Sequence, residues 1–397
     1  MGNAVMPRRQ EGKYATIEFE NYEIPELTKR EVEGLSQSRA GLVATTVGNY
    51  ALFAGGSVTS SSPSSTVDAY SNSLTRSTPT ALSATGDGLA GTTVGSYALF
   101  SGAYASSTVD AYNTSLTRST PTALSQNRRE LTATAVGNYA LFGGGMRSGV
   151  SYSTVDAYSS NLTRSTPTAL SIERYSLSAA SVGNYALFAG GCSPATVYSP
   201  VVDVYNSNLT RTSPITLNQG KLNMVATSEE TYALFAAGRT SSSYYSSTVD
   251  AYNTGLVRSI PTDLSVGRRL PAATTVKKCA LFGGGMNSSS SFTLTVDAYT
   301  ENLTRNTPAV LSQGRYNLAA TTIGKYAVFG GGYETSASAT VDCYEYSSKD
   351  LELTLYKGTR YKFQGMDAEA TVEADVESKT IATPATGYIK LKKVTLS

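Results

Sequence analysis

Short apolar runs alternate with small and polar residues along most of this chain, in a pattern that returns seven times. The run Y-A-L-F, or a close variant, begins at Tyr50, Tyr97, Tyr139, Tyr185, Tyr232, Cys279 and Tyr326, with steps of 47, 42, 46, 47, 47 and 47 residues. A second run, V-D-x-Y, follows each time and begins at Val67, Val109, Val155, Val202, Val249, Val296 and Val341. Such a period predicts a β-propeller with one four-stranded blade per repeat.

The third repeat shows how the four strands, a to d, are expected to follow one another. Thr132–Val136 is predicted as strand a, Tyr139–Phe142 as strand b, Thr154–Tyr158 as strand c and Leu162–Leu170 as strand d. Proline within strand d (Pro167) suits the outer edge of a blade, because proline cannot donate to a neighbouring strand. The loops between strands b and c and between strands d and a then share one end of the ring.

The period, the glycines after strand b and the downstream tyrosine together resemble the kelch repeat, over roughly residues 27–344. The tryptophan usual near strand d of that repeat is absent, since the chain has none. The style of the repeats and of the C-terminal segment also resembles kelch-like proteins of gut Firmicutes and their phages, which are often encoded near virion structural genes. This resemblance implies a binding or structural protein, with no catalytic motif carried over.

The closure of the ring can be predicted from the one repeat that is incomplete. Six repeats continue from V-D-x-Y into L-x-R and a proline strand, whereas the seventh continues as E-Y-S-S-K-D. The N-terminal segment LTKREVEGLSQSR (27–39) aligns without a gap with LTRSTPTALSQNR (116–128). We therefore expect residues 27–35 to be hydrogen-bonded to the strand that contains Val341–Tyr344, as the outer strand of the last blade. The predicted divisions are an N-terminal arm (1–22), the propeller (23–346) and a small β attachment module (347–397).

Composition excludes several kinds of chemistry. The chain has no histidine, so the commonest general base and most zinc and copper ligands are missing, and the histidine copper site of kelch-like sugar oxidases matches no residue here. The net charge of +2 favours no nucleic-acid partner, and no apolar stretch is long enough to predict membrane insertion. The three cysteines occupy different repeat positions, which favours free thiols over a disulfide or metal site. We expect no catalytic residue, no metal and no cofactor.

Each repeat carries one aspartate in V-D-x-Y, and a structural role is the simplest interpretation of this ring. If Tyr112 lies opposite Leu116 across the c–d hairpin, Asp110 lies opposite Arg118. The same count gives seven expected charge pairs: Asp68–Arg76, Asp110–Arg118, Asp156–Arg164, Asp203–Arg211, Asp250–Arg258, Asp297–Arg305 and Asp342–Lys29.

The b–c and d–a loops differ between repeats, and ligand recognition is expected there. They are rich in serine, glycine, threonine and tyrosine, a mixture typical of binding loops. The candidate ligand-binding residues are Tyr104, Arg147, Tyr152, Arg174, Tyr175, Tyr198, Arg239, Tyr244, Tyr245, Arg268, Arg315, Tyr316 and Tyr333. The alternative is that these loops are only solvated and that the repeated arginine belongs to the repeat pattern.

Three functions from different classes remain open. The first is a virion-associated adhesion or decoration protein of a bacteriophage, which binds a host-surface glycan or protein through its loops and other virion proteins through 347–397. The others are a cytoplasmic protein-interaction scaffold and a carbohydrate-active enzyme. Residues 1–14 lack the apolar core of a secretion signal. The expected location is therefore the virion, after assembly in the host cytoplasm.

Overall fold

The computed structural model describes residues 4–7, 14–19, 23–59, 61–103, 106–193, 198–240, 244–288, 291–350, 360–362, 369–371 and 391–396. Within these ranges the chain forms strands, turns and loops and no helix, and it includes seven four-stranded sheets. The predicted all-β, seven-bladed propeller is confirmed. One compact unit of the chain is Leu27–Tyr346, and the other combines Met1–Glu26 with Ser347–Ser397.

Each blade consists of strands a, b, c and d in that order across its sheet. In blades 1 to 3 they are Val43–Val47, Tyr50–Ala54, Val67–Ser71 and Arg76–Ser77; Ala90–Val94, Tyr97–Ser101, Asp110–Asn113 and Arg118–Ser119; and Thr132–Val136, Tyr139–Gly143, Val155–Ser159 and Arg164–Ser165. In blades 4 and 5 they are Ser178–Val182, Tyr185–Ala189, Val201–Asn206 and Arg211–Thr216; and Val225–Ser228, Tyr232–Ala236, Val249–Asn253 and Arg258–Ser259. In blades 6 and 7 they are Ala272–Val276, Cys279–Gly283, Val296–Thr300 and Arg305–Asn306; and Ala319–Ile323, Tyr326–Gly330, Val341–Asp350 and Glu23–Arg30.

The hydrophobic core lies between neighbouring blades. Phe142 and Tyr158 of blade 3, for example, pack against Leu99 and Val109 of blade 2. The two blade-3 rings meet edge to face, with centroids 5.9 Å apart, and the same phenylalanine–tyrosine contact recurs in every blade. The Tyr158 hydroxyl also donates to the carbonyl of Thr122, in the segment that follows strand d of blade 2, at 2.7 Å. The tyrosine of V-D-x-Y therefore joins each blade to the one before it.

Glycines after strand b allow adjacent blades to approach closely. Gly144 and Gly145 have φ values of 70° and 101°, a region that favours glycine. A Cβ on Gly144 would lie 2.7 Å from the carbonyl oxygen of Arg174, and one on Gly145 would lie 2.8 Å from that of Arg129. Both arginines belong to d–a loops, so the glycine pair brings the b–c and d–a loops together at one end of the blade.

The N-terminal segment closes the ring as predicted, but its strand spans Glu23–Arg30 and not residues 27–35. Glu23–Arg30 is the neighbour of Val341–Asp350 in the sheet of blade 7. Within this strand, Lys29 forms an ion pair with Asp342 at 2.9 Å. Beyond the strand, the amide of Leu35 donates to the carbonyl of Ala339 at 2.8 Å. The last blade is therefore completed by a segment from the opposite end of the chain.

The c–d hairpins have a register two residues away from the predicted one. Tyr112 lies opposite Arg118, not Leu116. The turn has three residues because Asn113 and Thr117 close it, and Leu116 at its end has a φ of 60°. A leucine in the same conformation occurs in the c–d turns of blades 1 to 6. Because the shift is an even number of residues, Arg118 keeps the face that carries Asp110 and contacts it diagonally.

Hydroxyl groups of the innermost strands connect neighbouring blades around the axis. The hydroxyl of Thr46 donates to the carbonyl of Thr322 at 2.5 Å, and that of Thr322 donates to the carbonyl of Thr275 at 2.7 Å. Thr93 makes the same bond to Thr46. Blade 3 has Ala135 at the equivalent position, so it brings no hydroxyl to this series.

Two sheets lie in the described parts of the second unit. Tyr14–Phe19 is the central strand of one sheet, between Ala4–Pro7 and Leu391–Leu396, with Ile17 opposite Val394. Arg360–Lys362 and Glu369–Thr371 form the other. Strands from the N-terminal and C-terminal segments of this unit therefore share one sheet.

Two other features bear on the sequence-based expectations. All three cysteines are buried free thiols. Among the described residues, no helix is long and apolar enough to cross a membrane.

We expect Ala135→Thr to stabilise the propeller. The new hydroxyl would extend the series of blade-to-blade bonds, and one such hydrogen bond contributes about 0.5–1.5 kcal/mol. The measurement is the thermal or denaturant midpoint of the full chain. Thr322→Ala is the matched control and should lower the midpoint by a similar amount. A lower midpoint for Ala135→Thr would contradict this role of the hydroxyl series.

Candidate functional site

The seven repeated aspartates are buried, and each accepts hydrogen bonds from several elements at once. Asp203 accepts the amide of Ser171 at 3.1 Å, from the segment after strand d of the preceding blade. Its carboxylate also accepts Arg211 of its own strand d at 2.9 Å and Arg174 of the d–a loop at 2.6 Å. One carboxylate thus holds together parts of two blades and a connecting loop.

The second arginine of this arrangement is completely buried. Arg174 has no exposed surface, and its guanidinium donates to the carbonyls of Phe188, Gly190 and Val201 at 2.6–3.1 Å as well as to Asp203. Burial lowers the pKa of Arg174 to about 10, opposed by the charge of Asp203, so the group stays cationic at neutral pH. The cation therefore fastens the d–a loop to strands b and c.

Six of the seven blades contain such a buried cation beside the aspartate. The pairs are Arg39–Asp68, Arg128–Asp156, Arg174–Asp203, Lys221–Asp250, Arg268–Asp297 and Arg315–Asp342. All six cations are 0% exposed, which places them inside the blades and away from the loop surface.

Blade 2 lacks the buried cation, because Gly86 occupies its position. Asp110 accepts the amide and the hydroxyl of Ser83, the latter at 2.9 Å, as Asp156 accepts those of Ser125 in blade 3 beside its cation. The hydroxyl of Ser101 donates to the carbonyl of Thr108 at 2.8 Å. In blade 4 the corresponding carbonyl, that of Val201, accepts the buried arginine. Burial raises the pKa of Asp110, and the hydrogen bonds from Ser83 and the charge of Arg118 oppose this only in part.

The outer charge pairs expected from the sequence are all within ion-pair distance. The separations are 3.3 Å for Asp68–Arg76, 3.3 Å for Asp110–Arg118, 2.9 Å for Asp156–Arg164, 2.9 Å for Asp203–Arg211, 3.8 Å for Asp250–Arg258, 3.1 Å for Asp297–Arg305 and 2.9 Å for Asp342–Lys29. In each c–d hairpin the arginine lies opposite the tyrosine of V-D-x-Y, so it contacts the aspartate two residues earlier diagonally.

Three of the candidate ligand-binding residues need correction. Arg174, Arg268 and Arg315 were expected on the loop face, but they are the buried cations of blades 4, 6 and 7. Their side chains turn inward because the aspartate and the free carbonyls of strands b and c lie below the loop. The sequence did contain a signal for this structural role, because the arginine recurs at one position of the repeat, and such recurrence is typical of residues that build the blade.

The b–c and d–a loops converge on a ring at one end of the propeller. Seven residues with positive φ, one per blade, form this ring: Gly41, Gly88, Glu130, Ser176, Asn223, Leu270 and Asn317. Most of them donate an amide hydrogen to the carbonyl of the ring residue in the preceding blade, at 2.8–3.3 Å. The residue just before each ring position is consequently held in a fixed place at the mouth of the ring.

Those fixed positions hold several of the remaining candidates. Tyr316 and Tyr333 face each other across a backbone bridge, with ring centroids 5.6 Å apart. Tyr316 also stacks on Phe292, at 5.3 Å and an interplanar angle of 27°. All three rings are partly exposed, so blades 6 and 7 present a continuous aromatic surface at the loop end. Phe292 was not among the sequence candidates, because it lies in a serine-rich loop with no repeated counterpart.

The other candidates surround the same ring in smaller groups. Tyr175 and Tyr198 both form bridges with Cys192, and burial together with the Cys192 hydrogen bond raises the pKa of Tyr175 to about 12. Arg239 is bridged to Tyr245. Tyr244 is 60% exposed.

Two further candidates lie in the b–c loop of blade 3. Arg147 is exposed and Tyr152 is half-buried. Tyr104 lies outside the described residues.

Metal-dependent chemistry finds no support in the donor groups. The chain contains no histidine. The described part of the chain holds no group of three or more histidine, cysteine, aspartate or glutamate side chains that could bind a metal ion. The described residues therefore do not fit a copper or zinc centre, and we derive no reaction through one.

Comparison with known proteins shows the fold and nothing finer. No protein-family model and no curated protein matches the sequence. The solved structure of YjhT is similar with a TM-score of 0.55 and 11% identity, over 66% of this chain and 97% of YjhT. A fungal alcohol oxidase of the AA5 family, in complex with copper, is similar with a TM-score of 0.64 and 12% identity, over 81% of this chain and 76% of the oxidase. At these identities both show a shared propeller fold.

We expect Arg174→Met to destabilise the propeller by about 3–5 kcal/mol, because it leaves Asp203 buried beside only one cation. Arg211→Met is the matched control, since it removes the more exposed partner of the same carboxylate and should cost about 1 kcal/mol or less. The measurement is the denaturant midpoint of each full-length variant. Equal losses from the two substitutions would contradict the distinction between inner and outer cations.

Proposed function

We infer that this protein is a non-catalytic binding protein that recognises a surface ligand through the loop end of its propeller. The observation that carries this is the aromatic surface of Phe292, Tyr316 and Tyr333, which is partly exposed and built on fixed backbone. Flat aromatic faces stack well on sugar rings and peptides and lose little conformational entropy on binding. A glycan or protein of a cell surface is thus the proposed ligand.

The distribution of charged groups supports a role in binding. The repeated aspartates and their cations are accounted for by blade architecture, since each carboxylate is buried and accepts several donors. The loop end varies from blade to blade while the scaffold beneath it stays constant, as in other binding proteins that vary only their loops.

A finer proposal is that the protein is a virion component of a bacteriophage, used for adhesion to the host or for decoration of the particle. The second unit supports it, because a small sheet with Ala4–Pro7 and Leu391–Leu396 as its outer strands has edges that can pair with another chain. We propose that 347–397 contributes to attachment to other assembly proteins, and that the loop end remains available to the ligand.

Binding through the loop end predicts a clear effect of Tyr316→Ala. On an array of bacterial surface glycans, the full chain should bind a subset, and Tyr316→Ala should weaken that binding about tenfold or more because it removes the central ring of the aromatic surface. Tyr326→Ala, in strand b of the same blade, is the control, with folding checked by thermal denaturation. Binding that survives Tyr316→Ala and Phe292→Ala together would argue against this surface.

The attachment role predicts that deletion of 349–397 abolishes incorporation into an assembly but leaves the thermal transition of the propeller. Val394→Pro is a milder variant, because proline opposite Ile17 interrupts that strand pairing. The measurement is co-purification of each variant with large particles from the producing cells. Normal incorporation of the deleted protein, or a monomeric chain with a substrate in its central channel, would overturn this assignment.

A further inference from the structure

We propose that the contact between blades 5 and 6 depends on a proton: an uncharged Glu229 strengthens it, and an ionised Glu229 weakens it. Glu229 lies in the a–b turn of blade 5, at the end of the propeller opposite to the b–c and d–a loops. Its amide donates to the carbonyl of Tyr232 at 2.9 Å, which closes the turn. The residue therefore belongs to the scaffold and not to the loop end.

The repeats favour an apolar side chain where Glu229 lies. The residue three positions before strand b is valine or isoleucine in the other six blades: Val47, Val94, Val136, Val182, Val276 and Ile323. Each is 0–3% exposed and belongs to the hydrophobic cluster between its own blade and the next. The cluster between blades 5 and 6 has no such residue, because Glu229 occupies the position.

The side chain of Glu229 is buried with half of its carboxylate unsatisfied. It is only 6% exposed. Its Oε1 accepts the hydroxyl of Thr231, whereas its Oε2 is buried with no hydrogen-bond partner among the described residues. An ionised carboxylate in such a place loses its hydration without compensation, and a protonated carboxyl loses much less. The position thus favours the uncharged form.

The surroundings of Glu229 supply hydrogen bonds but no opposite charge. In its own turn, the hydroxyl and amide of Thr231 and the amide of Tyr232 stabilise the carboxylate. On the side of blade 4, the contact is uncharged, since the amide of Ser181 donates to the hydroxyl of Ser228 at 2.9 Å. Within the described residues, no lysine or arginine forms an ion pair with Glu229.

Blade 6 brings a second negative charge towards the same place. The carboxylate of Glu301, in the c–d turn, repels that of Glu229 and is paired with Lys278 at 3.0 Å. The Cys279 thiol, at the start of strand b, stays neutral because burial raises its pKa to about 12, with a smaller contribution from the charge of Glu229. Ionisation of Glu229 therefore sets two carboxylates against each other across the contact.

The direction of the pH dependence follows from these groups. Burial raises the pKa of Glu229, the hydrogen bonds from Thr231 and Tyr232 oppose this, and the charge of Glu301 adds to it. The contribution of protonated Glu229 to the free energy of unfolding is complete below the ordinary glutamate value of 4.5 and is lost as pH rises through the raised pKa. The ionised carboxylate regains water only when the turn ends of blades 5 and 6 separate, so rising pH loosens this contact.

The test compares thermal midpoints of the full chain and its variants from about pH 5 to about pH 8. The midpoint of Glu229→Gln, relative to the unaltered chain, should rise across this range by roughly 2 °C or more. Glu229→Val should show the same trend with a higher midpoint throughout, because it restores the residue of the other blades. Glu230→Gln is the matched control: it removes the same charge from the next, exposed residue of the turn, and its difference should not change with pH.

A fourth variant tests the part played by blade 6. Glu301→Gln removes the repelling charge, so it should lower the pKa of Glu229 and move the loss of stability to lower pH. A constant difference between Glu229→Gln and the unaltered chain would overturn the proposal, as would an equal pH dependence in Glu230→Gln. If Glu301→Gln left the pH dependence where it was, the effect would belong to the blade-5 turn alone and the proposed contact would be wrong.

Discussion

The buried ion pair between a V-D-x-Y aspartate and the cation of the preceding loop is the contact on which this propeller depends. A guanidinium such as that of Arg174 satisfies three backbone carbonyls and one carboxylate in a place with no exposed surface. It fixes the d–a loop a few residues before strand a, and the positive-φ ring residue Ser176 follows two positions later. Blade 2 keeps its aspartate buried without this contact; there the hydroxyl of Ser101 donates to the carbonyl of Thr108, whose counterpart in blade 4, that of Val201, accepts the buried arginine.

The repeats predicted the fold well, because a period near 47 residues and its phase report directly on blades and on the closing strand. Details that depend on a single turn were less accessible. The c–d register was wrong by two residues, since a leucine with positive φ at the turn has no distinctive sequence signal. The predicted role of Arg174, Arg268 and Arg315 was wrong because a loop position does not reveal whether a long side chain turns outward or into the blade.

The loop end was predictable as a region and less so as a site. Variation between repeats indicated where Tyr316 and Tyr333 would lie, but their contact with Phe292 depends on how two serine-rich loops pair. Arg269 adjoins a buried arginine and differs from it only in the direction of its side chain. Arg268 is completely buried, whereas Arg269 is partly exposed.

The closing strand also constrains how the chain is made. Glu23–Arg30 leaves the ribosome early, whereas its neighbour Val341–Asp350 follows roughly 300 residues later. At ordinary rates of synthesis the early strand waits about 15 to 60 seconds without its final neighbour. Its run of Glu26, Lys29 and Arg30 discourages pairing with a neighbouring nascent chain during this interval, as charges on an edge strand do. Closure of the ring therefore cannot precede the synthesis of Val341–Asp350.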